Sequence, residues 1–308
     1  MTVLWSILWN NVLPLSVMIA FGVTLQRAFS LDIKTLSKLN FYLFSPAIIF
    51  KLLYTTDISL QVVGEVLLFF TVFMGLMFGA AQAVVALRGH KGGMVGAMRN
   101  SVLFYNSANY GIPLNQLVFA GNPFTLSVQV LIMMMQSLVP NTYGIYSVNA
   151  HRSSGPLVLR TIARQPVIYA IPLAFLMRGY SIPLPGFMST PLDYLADAFI
   201  GTALITLGVQ LGSMKWSWRS LMLRDVLLSS GLRLILGPLL AALIVWAIGI
   251  DGLMAKALIV SSAVPTSLSS VLLAVEFDNE PEFASQSVLV STVLSILTVT
   301  FVIYVLNI

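Results

Sequence analysis

Amide side chains are concentrated in one short stretch of an otherwise apolar segment. The stretch FYNSANYGIPLNQLVFAG, from Phe104 to Gly121, places Asn106, Asn109 and Asn115 around a glycine and a proline separated by one residue. A proline inside a helix removes a backbone donor and clashes with the carbonyl one turn back, so it interrupts the helix. Carboxamides and the free backbone amides that begin the next half-helix suit an anion. The stretch therefore predicts a site for a negatively charged group.

A second polar stretch, IVSSAVPTSLSSVLLA, surrounds Pro265 with six Ser and Thr residues. In hydrocarbon an unsatisfied backbone group is costly, so an interrupted helix survives only inside protein or against a water-filled cavity. Single prolines are common in membrane helices, but the joint pattern favours two half-helices that meet and begin near 114–116 and 266–268. The predicted binding residues are Asn106, Asn109, Gly111, Pro113, Leu114, Asn115, Pro265, Thr266, Ser267 and Arg233.

The composition is that of an integral membrane protein. The chain has 308 residues, of which 58% are hydrophobic and 9% charged, whereas soluble domains average about 25% charged residues. Ten apolar segments fit at about 20 residues per span. We predict an all-helical membrane protein with spans at 5–26, 36–54, 61–87, 94–120, 124–149, 165–178, 191–212, 224–249, 254–275 and 283–306.

The basic residues predict the orientation. With the N-terminus outside, twelve of the 16 Lys and Arg residues fall in inside loops, Lys51, Arg178 and Lys256 fall outside, and Arg233 lies within a span. Cytoplasmic loops retain Lys and Arg during insertion. We therefore expect a multi-pass protein of the plasma (inner) membrane with both termini outside. The net charge of +5 arises from this placement, so no nucleic-acid partner is expected; the expected partners are the bilayer and a small organic anion.

The chain divides into two similar halves. A basic stretch at 151–164 separates five predicted spans in 1–150 from five in 165–308, and an odd number of spans makes the second half enter the membrane from the opposite side. An offset of 152 residues takes Pro14 to Pro166 and Pro113 to Pro265. This topology is typical of transporters built from two inverted repeats, whose broken helices cross at the binding site.

Catalytic patterns are missing from the sequence. It has no cysteine, no HExxH pair, no GxSxG elbow and no Cys/His cluster, which removes the usual residues of hydrolytic and metal-dependent enzymes. We expect a transporter of a small organic anion working by alternating access, with no enzyme activity, metal site or cofactor. A membrane domain that senses a ligand without transporting it is the alternative, and it would need an output module from a partner.

The sequence is compatible with proton coupling, sodium coupling and uncoupled transport. Arg233, inside a span, either pairs with the substrate or a polar partner or extends its charge to the interface. Glu65, near the outer end of the third span, is the candidate for proton coupling, while sodium could bind amide, hydroxyl and carbonyl oxygens. Export of an anion from a negative-inside cell is itself favoured by about 2.3 kcal/mol per charge at 100 mV, so an uncoupled carrier is also sufficient.

Three further motifs can be compared with known families: NSANYGIP at 106–113, TALITLGVQLG in the seventh predicted span, and VPTSLSSVLLAVEFDNEPEFASQSVLVSTVLSI across the ninth and tenth. They resemble the auxin efflux carrier family, whose members include plant auxin exporters and bacterial permeases. The resemblance covers nearly the whole chain. It implies ten helices in two inverted repeats, a scaffold from helices 1, 2, 6 and 7, a mobile transport unit from helices 3 to 5 and 8 to 10, and a homodimer.

The same resemblance implies roles for single residues. In the family the two broken helices cross where a substrate carboxylate binds, and an asparagine of helix four contributes; by position that residue is Asn109, with Asn106 and Asn115 as neighbours. Two departures are visible. Ala108 stands where many relatives have glycine, and the long cytoplasmic loop of some plant members is missing, which argues against regulation through that loop.

Overall fold

A computed structural model describes residues 2–148, 166–214 and 220–308. Throughout these ranges the regular structure is helical, and extended pairing is limited to one antiparallel bridge between Tyr105 and Thr266. The all-helical prediction is thus confirmed. The predicted linker at 151–164 lies outside the described residues.

We number the helical segments in chain order and give the halves of an interrupted helix the letters a and b. They are α1 (Val3–Phe29), α2 (Ile33–Thr55), α3 (Leu60–Arg88), α4a (Gly93–Leu103), α4b (Gly111–Val118), α5 (Pro123–Gly144), α6 (Val167–Gly179), α7 (Gly186–Ser213), α8 (Met222–Ile248), α9a (Gly252–Ser262), α9b (Ser269–Glu276) and α10 (Pro281–Val305).

Seven of these segments are long and apolar enough, by length and composition, to cross a membrane; they are α1, α2, α3, α5, α7, α8 and α10. The segments α4 and α9 fall short because each is interrupted. As described, α6 is also short, with 13 residues. A multi-pass membrane protein is therefore established, while the count of ten spans stays a prediction.

The predicted start of α4b, at 114–116, was about one turn too late, and that of α9b, at 266–268, was one to three residues too early. The chain leaves the helix at 104–110 and resumes at Gly111, so that Pro113 is the third residue of α4b. A proline is tolerated there because amides of the first turn have no partner within the helix. Pro265 instead lies in the non-helical connection at 263–268, and α9b begins at Ser269.

Other prolines do not break their helices. Pro14, Pro46 and Pro238 each follow a wider π-helical turn, at Leu8–Val12, Asn40–Phe44 and Leu232–Leu236 respectively. The additional residue in such a turn relieves the clash between the proline ring and the preceding carbonyl. These helices consequently continue past their prolines, and the two connections near the centre of α4 and α9 stand out as complete interruptions.

One group of helices is formed by α1, α2, α6 and α7. The helices α1 and α7 approach closely because Gly22 faces Gly208, where an added Cβ on either residue would lie 2.8 Å from the Cα of the other. Small residues allow this distance, and in lipid such close packing is the main force between helices. On α2, Lys51 forms a 2.8 Å ion pair with Asp193 of α7, which ties these two helices at one end.

A second group contains α3, α4, α5, α8, α9 and α10. Polar contacts connect its members: the hydroxyls of Ser101 in α4a and Ser229 in α8 are 2.7 Å apart, and Arg88 at the end of α3 donates to buried Asp225 of α8 at 2.9 Å. Both interrupted helices, α4 and α9, belong to the second group.

We expect Gly208→Ala to destabilise the contact between α1 and α7. The new methyl group would overlap backbone atoms, and overpacking of this kind costs about 1–3 kcal/mol, which exceeds the gain of about 1 kcal/mol from replacing a helical glycine. The apparent melting temperature of the purified protein in detergent should fall. Gly75→Ala is the matched control, because nothing lies within 4 Å of its added Cβ; equal melting temperatures for the two variants would contradict the close packing.

Candidate functional site

The two interrupted helices meet through their backbones. The amide of Asn106 donates to the carbonyl of Pro265 at 2.8 Å, and the amide of Ser267 donates to the carbonyl of Phe104 at 2.7 Å. These paired bonds form the antiparallel bridge at the crossing. Each connection therefore supplies partners for groups that the other connection leaves free.

Side chains satisfy further groups at the crossing. The hydroxyl of Thr266 donates to the carbonyl of Ser101 at 2.8 Å, and the backbone amide of Thr266 donates to the hydroxyl of Ser291 in α10 at 3.1 Å. Thr266 is fully buried. It thus links three helical segments, and its amide is not free to bind an anion.

Two glutamines of α5 support the interruption of α4. Gln136 donates to the carbonyl of Leu103 at 3.1 Å, and Gln129 donates to the carbonyl of Ser107 at 2.8 Å. An added Cβ on Gly111 would lie 2.5 Å from the Gln129 amide nitrogen, so the glycine makes room for this side chain. Both glutamines therefore bond between helices through their NH₂ groups.

Arg233 bonds to both interrupted helices. Its guanidinium donates to the carbonyls of Val102 in α4a, at 3.4 Å, and of Ser262 in α9a. The guanidinium carbon also lies 4.5 Å from the ring centre of Tyr105 and 5.4 Å from that of Phe73. The side chain is fully buried, so it does not extend to the interface.

A cavity of about 460 Å³ lies beside the crossing, between the two groups of helices. One wall comes from α2 and α7, and the other from the connection in α4, from α5 and from α9b. Its polar and charged lining residues are Ser37, Lys38, Asn40, Tyr42, Ser45, Tyr105, Asn106, Ser107, Asn109, Gln136, Ser137, Gln210, Ser267, Ser269 and Glu276.

The cavity has an exposed charged end and a buried amide end. Lys38 and Glu276 are exposed to solvent, whereas Tyr105 and Asn106 are 2% and 5% exposed. The side-chain oxygen of Asn106 accepts from the backbone amide of Asn109 at 3.1 Å. This bond fixes the orientation of the carboxamide, and its NH₂ group has no partner within the described structure. A buried donor without a partner is costly unless a ligand or water meets it.

Of the ten residues predicted to bind, Asn106, Asn109 and Ser267 line the cavity. Arg233, Pro265 and Thr266 lie in or behind the crossing, as described above. Gly111, Pro113, Leu114 and Asn115 belong to the buried part of α4b.

Asn115 has a structural contact. Its side chain exchanges two hydrogen bonds with Thr125 of α5, accepting from the hydroxyl at 2.9 Å and donating to the carbonyl at 3.2 Å. Both residues are completely buried. The carboxamide of Asn115 is therefore occupied by the packing of α4b on α5.

The sequence did not indicate the wall formed by α2 and α7. Asn40 accepts from Thr202 at 2.8 Å and donates to Thr206 at 2.7 Å, and Gln210 donates to Ser37 at 3.1 Å. Asn40 and Gln210 could have been noticed in the sequence, because an amide side chain is unusual within an apolar span. Which helix they face depends on how the segments pack, and local sequence does not specify that.

Glu65, the candidate for proton coupling, does not line the cavity. Its carboxylate accepts from Gln61 of the same helix at 2.8 Å. The structure thus places this acid away from the crossing.

Comparison with known proteins identifies the kind of molecule. The sequence pattern of a family described as "Membrane transport protein" matches residues 147–303. The chain belongs to the membrane transport protein family. An uncharacterized transporter of Methanothermobacter thermautotrophicus is 24% identical over 295 residues, which cover 94% of this chain and 95% of the relative. The resemblance to auxin efflux carriers is confirmed, and this family member is a transport protein and not an enzyme.

We expect Thr266→Val to weaken the crossing of this family member while preserving its shape. The carbonyl of Ser101 would lose its donor in a buried position, at a cost of about 1–3 kcal/mol. The melting temperature should fall by several degrees. Thr71→Val is the matched control, because Thr71 is exposed and its hydroxyl bonds within its own helix. Unchanged stability of Thr266→Val would show that this bond does not hold the crossing.

Proposed function

We propose that this protein is a secondary transporter that moves a small organic anion of the carboxylate class by alternating access. The observation that carries the proposal is the NH₂ group of Asn106, which has no hydrogen-bond partner within the described residues and belongs to a 5% exposed residue beside a 460 Å³ cavity at the crossing. This volume is within the range of about 300–1,000 Å³ typical of small-molecule sites. A carboxylate would accept from the free NH₂ group.

The crossing supports a ten-span topology with two inverted repeats of five helices. In transporters of this kind, half-helices from equivalent spans meet near the middle of the bilayer. Here α4 and α9 are both interrupted, and their connections bond to one another. We propose that 1–150 and 165–308 are the two repeats, which enter the membrane from opposite sides.

The position of the cavity supports an elevator-like movement. Its walls belong to two groups of helices, and the hydrogen bonds described above join helices of the same group, as those of Asn40 and Gln210 between α2 and α7 and that of Gln136 between α5 and α4a do. We propose that α1, α2, α6 and α7 form a fixed scaffold, that α3 to α5 and α8 to α10 move as one unit with the substrate, and that two copies associate through their scaffolds. The homodimer rests on the family resemblance.

Side chains, more than backbone amides, recognise the anion in this proposal. The amides of Thr266 and Ser267 donate within the protein, and that of Ser269 donates to the Ser267 hydroxyl at 3.2 Å. Asn106, Asn109 and the hydroxyl groups of the α9b start remain on the cavity wall. This arrangement binds a carboxylate through neutral donors and leaves the rest of the substrate to the apolar wall.

Lys38 gives the exposed end of the cavity a positive charge. By the distribution of basic residues this end faces the cytoplasm, so the described conformation corresponds to an inward-facing state. A cation at the mouth raises the local concentration of anions and speeds their association, an effect that salt screens. Glu276 lies on the opposite wall and limits the net charge there.

We expect Asn109→Ala to abolish transport of the anion by protein reconstituted in liposomes while the melting temperature stays within a few degrees of wild type. The carboxamide lines the cavity, and its loss would remove a donor to the substrate. Asn10→Ala is the matched control, because Asn10 is exposed on α1 and bonds to Ser6 of the same helix. Wild-type rates in Asn109→Ala would remove this residue from the site.

Lys38→Gln should reduce the rate of anion uptake from the cytoplasmic side about two- to tenfold at low salt and much less at high salt, because steering is a screened, long-range effect. The same measurement on Lys256→Gln, a lysine of the opposite side, serves as control. An unchanged rate at low ionic strength would exclude steering by Lys38.

The substrate can be found by a thermal-shift screen of purified protein against organic anions, including malonate, short monocarboxylates and aromatic acids, each with sodium or choline as the cation. Ligands that bind the folded state raise its melting temperature. Transport of the hits into liposomes then separates a carrier from a membrane domain that senses a ligand. Binding without transport would contradict the proposal.

A further inference from the structure

Two negative helix ends converge on one buried side chain. The half-helices α4a and α9a end at Leu103 and Ser262, and the carbonyl groups of Val102 and Ser262 both accept from the guanidinium of Arg233. The C-terminal end of a helix carries about half a negative charge, located on its unsatisfied carbonyls. A cation is therefore the natural partner for this place.

In coupled transporters with broken helices, sodium is coordinated by unwound carbonyls and by the C-terminal ends of half-helices. Here the guanidinium occupies that position. Two aromatic rings, of Tyr105 and Phe73, complete the surroundings at 4.5 Å and 5.4 Å, a geometry that attracts cations. Gly237 leaves room for the group, since an added Cβ would lie 3.0 Å from an Arg233 nitrogen.

We propose that Arg233 is the resident cation of the crossing and makes a coupling sodium ion unnecessary. Arginine keeps its charge in proteins, and within the described residues Arg233 forms no ion pair. Tyr105 lies between it and the cavity, contacting the guanidinium on one side and lining the cavity on the other. Arg233 is thus a positioning residue for the anion site and does not line it.

The fixed charge determines which step responds to the membrane potential. This consequence rests on the elevator movement proposed above, in which Arg233 travels with the mobile unit. Its charge offsets that of a bound monovalent carboxylate, so the loaded unit crosses with no net charge from this pair. The empty unit carries the positive charge, and a negative-inside potential draws it back toward the cytoplasm. The substrate class that matches this charge is a monocarboxylate.

The first test does not depend on transport. Purified Arg233→Ala is heated in choline chloride with and without low millimolar guanidinium chloride or sodium chloride. We expect either added cation to raise the melting temperature of Arg233→Ala by several degrees, with no rise for wild type. Arg99→Ala is the matched control, because Arg99 also lies over an aromatic ring, 5.3 Å from the ring centre of Phe78, but donates to the side chain of Gln82 and not to helix-end carbonyls. No rise in folded Arg233→Ala, or equal rises in all three proteins, would overturn the proposal.

Wild-type protein decides the question if Arg233→Ala does not fold. Its melting temperature should be the same in sodium chloride and choline chloride at equal ionic strength, and stabilisation by sodium would contradict a resident cation. The melting temperature of Arg233→Lys, which keeps the charge, should likewise be the same in sodium chloride and choline chloride.

The second test uses liposomes and acetate, malonate and an aromatic acetate as probes. Exchange of a labelled monocarboxylate should not respond to a potassium diffusion potential, whereas its net efflux should accelerate at least severalfold when the inside is negative. The assigned charge would be contradicted if exchange depended on the membrane potential and net efflux did not. If none of the probes moves, the proposed function fails, while the thermal-shift result still decides whether Arg233 is the resident cation.

Discussion

Backbone groups in the middle of a bilayer must find partners inside the protein, and the centre of this molecule is arranged around that constraint. Two helices are interrupted at 104–110 and 263–268, and the amides of Asn106 and Ser267 bond across the crossing to carbonyls of the other connection. Because each unsatisfied group in hydrocarbon costs several kcal/mol, neither interruption is stable without the other. The cavity exists because this paired arrangement holds open two connections that a continuous helix would close.

The carbonyl groups at the end of α4a are each paired with a side-chain donor from another helix. Gln136, Thr266 and Arg233 each donate to a carbonyl at the end of α4a, on three successive residues from Ser101 to Leu103. They come from α5, α9 and α8, so the interruption of one helix is stabilised by three others. Seven of the ten predicted binding residues accordingly lie in or behind the crossing or in the buried part of α4b, while Asn106, Asn109 and Ser267 line the cavity.

Local sequence was enough for some of this and not for the rest. The amides near Asn109, the hydroxyls near Pro265 and the apolar segments identified the interrupted helices, since each signal is contained in one stretch of chain. The start of α4b was misplaced because Pro113 was taken as the point of interruption, whereas proline also fits a first helical turn. The partners of Arg233 and Asn115 could not be predicted, because they depend on how helices distant in sequence rotate against one another.

The central claim is that the crossing is held by backbone bonds between the two connections. Hydrogen–deuterium exchange of the purified protein, resolved on fragments covering 104–110 and 263–268, tests it directly. Although these segments are not helical, the amides of Asn106 and Ser267 should exchange as slowly as those in the middle of α4a. Exchange as rapid as in solvent-exposed loops would contradict the account.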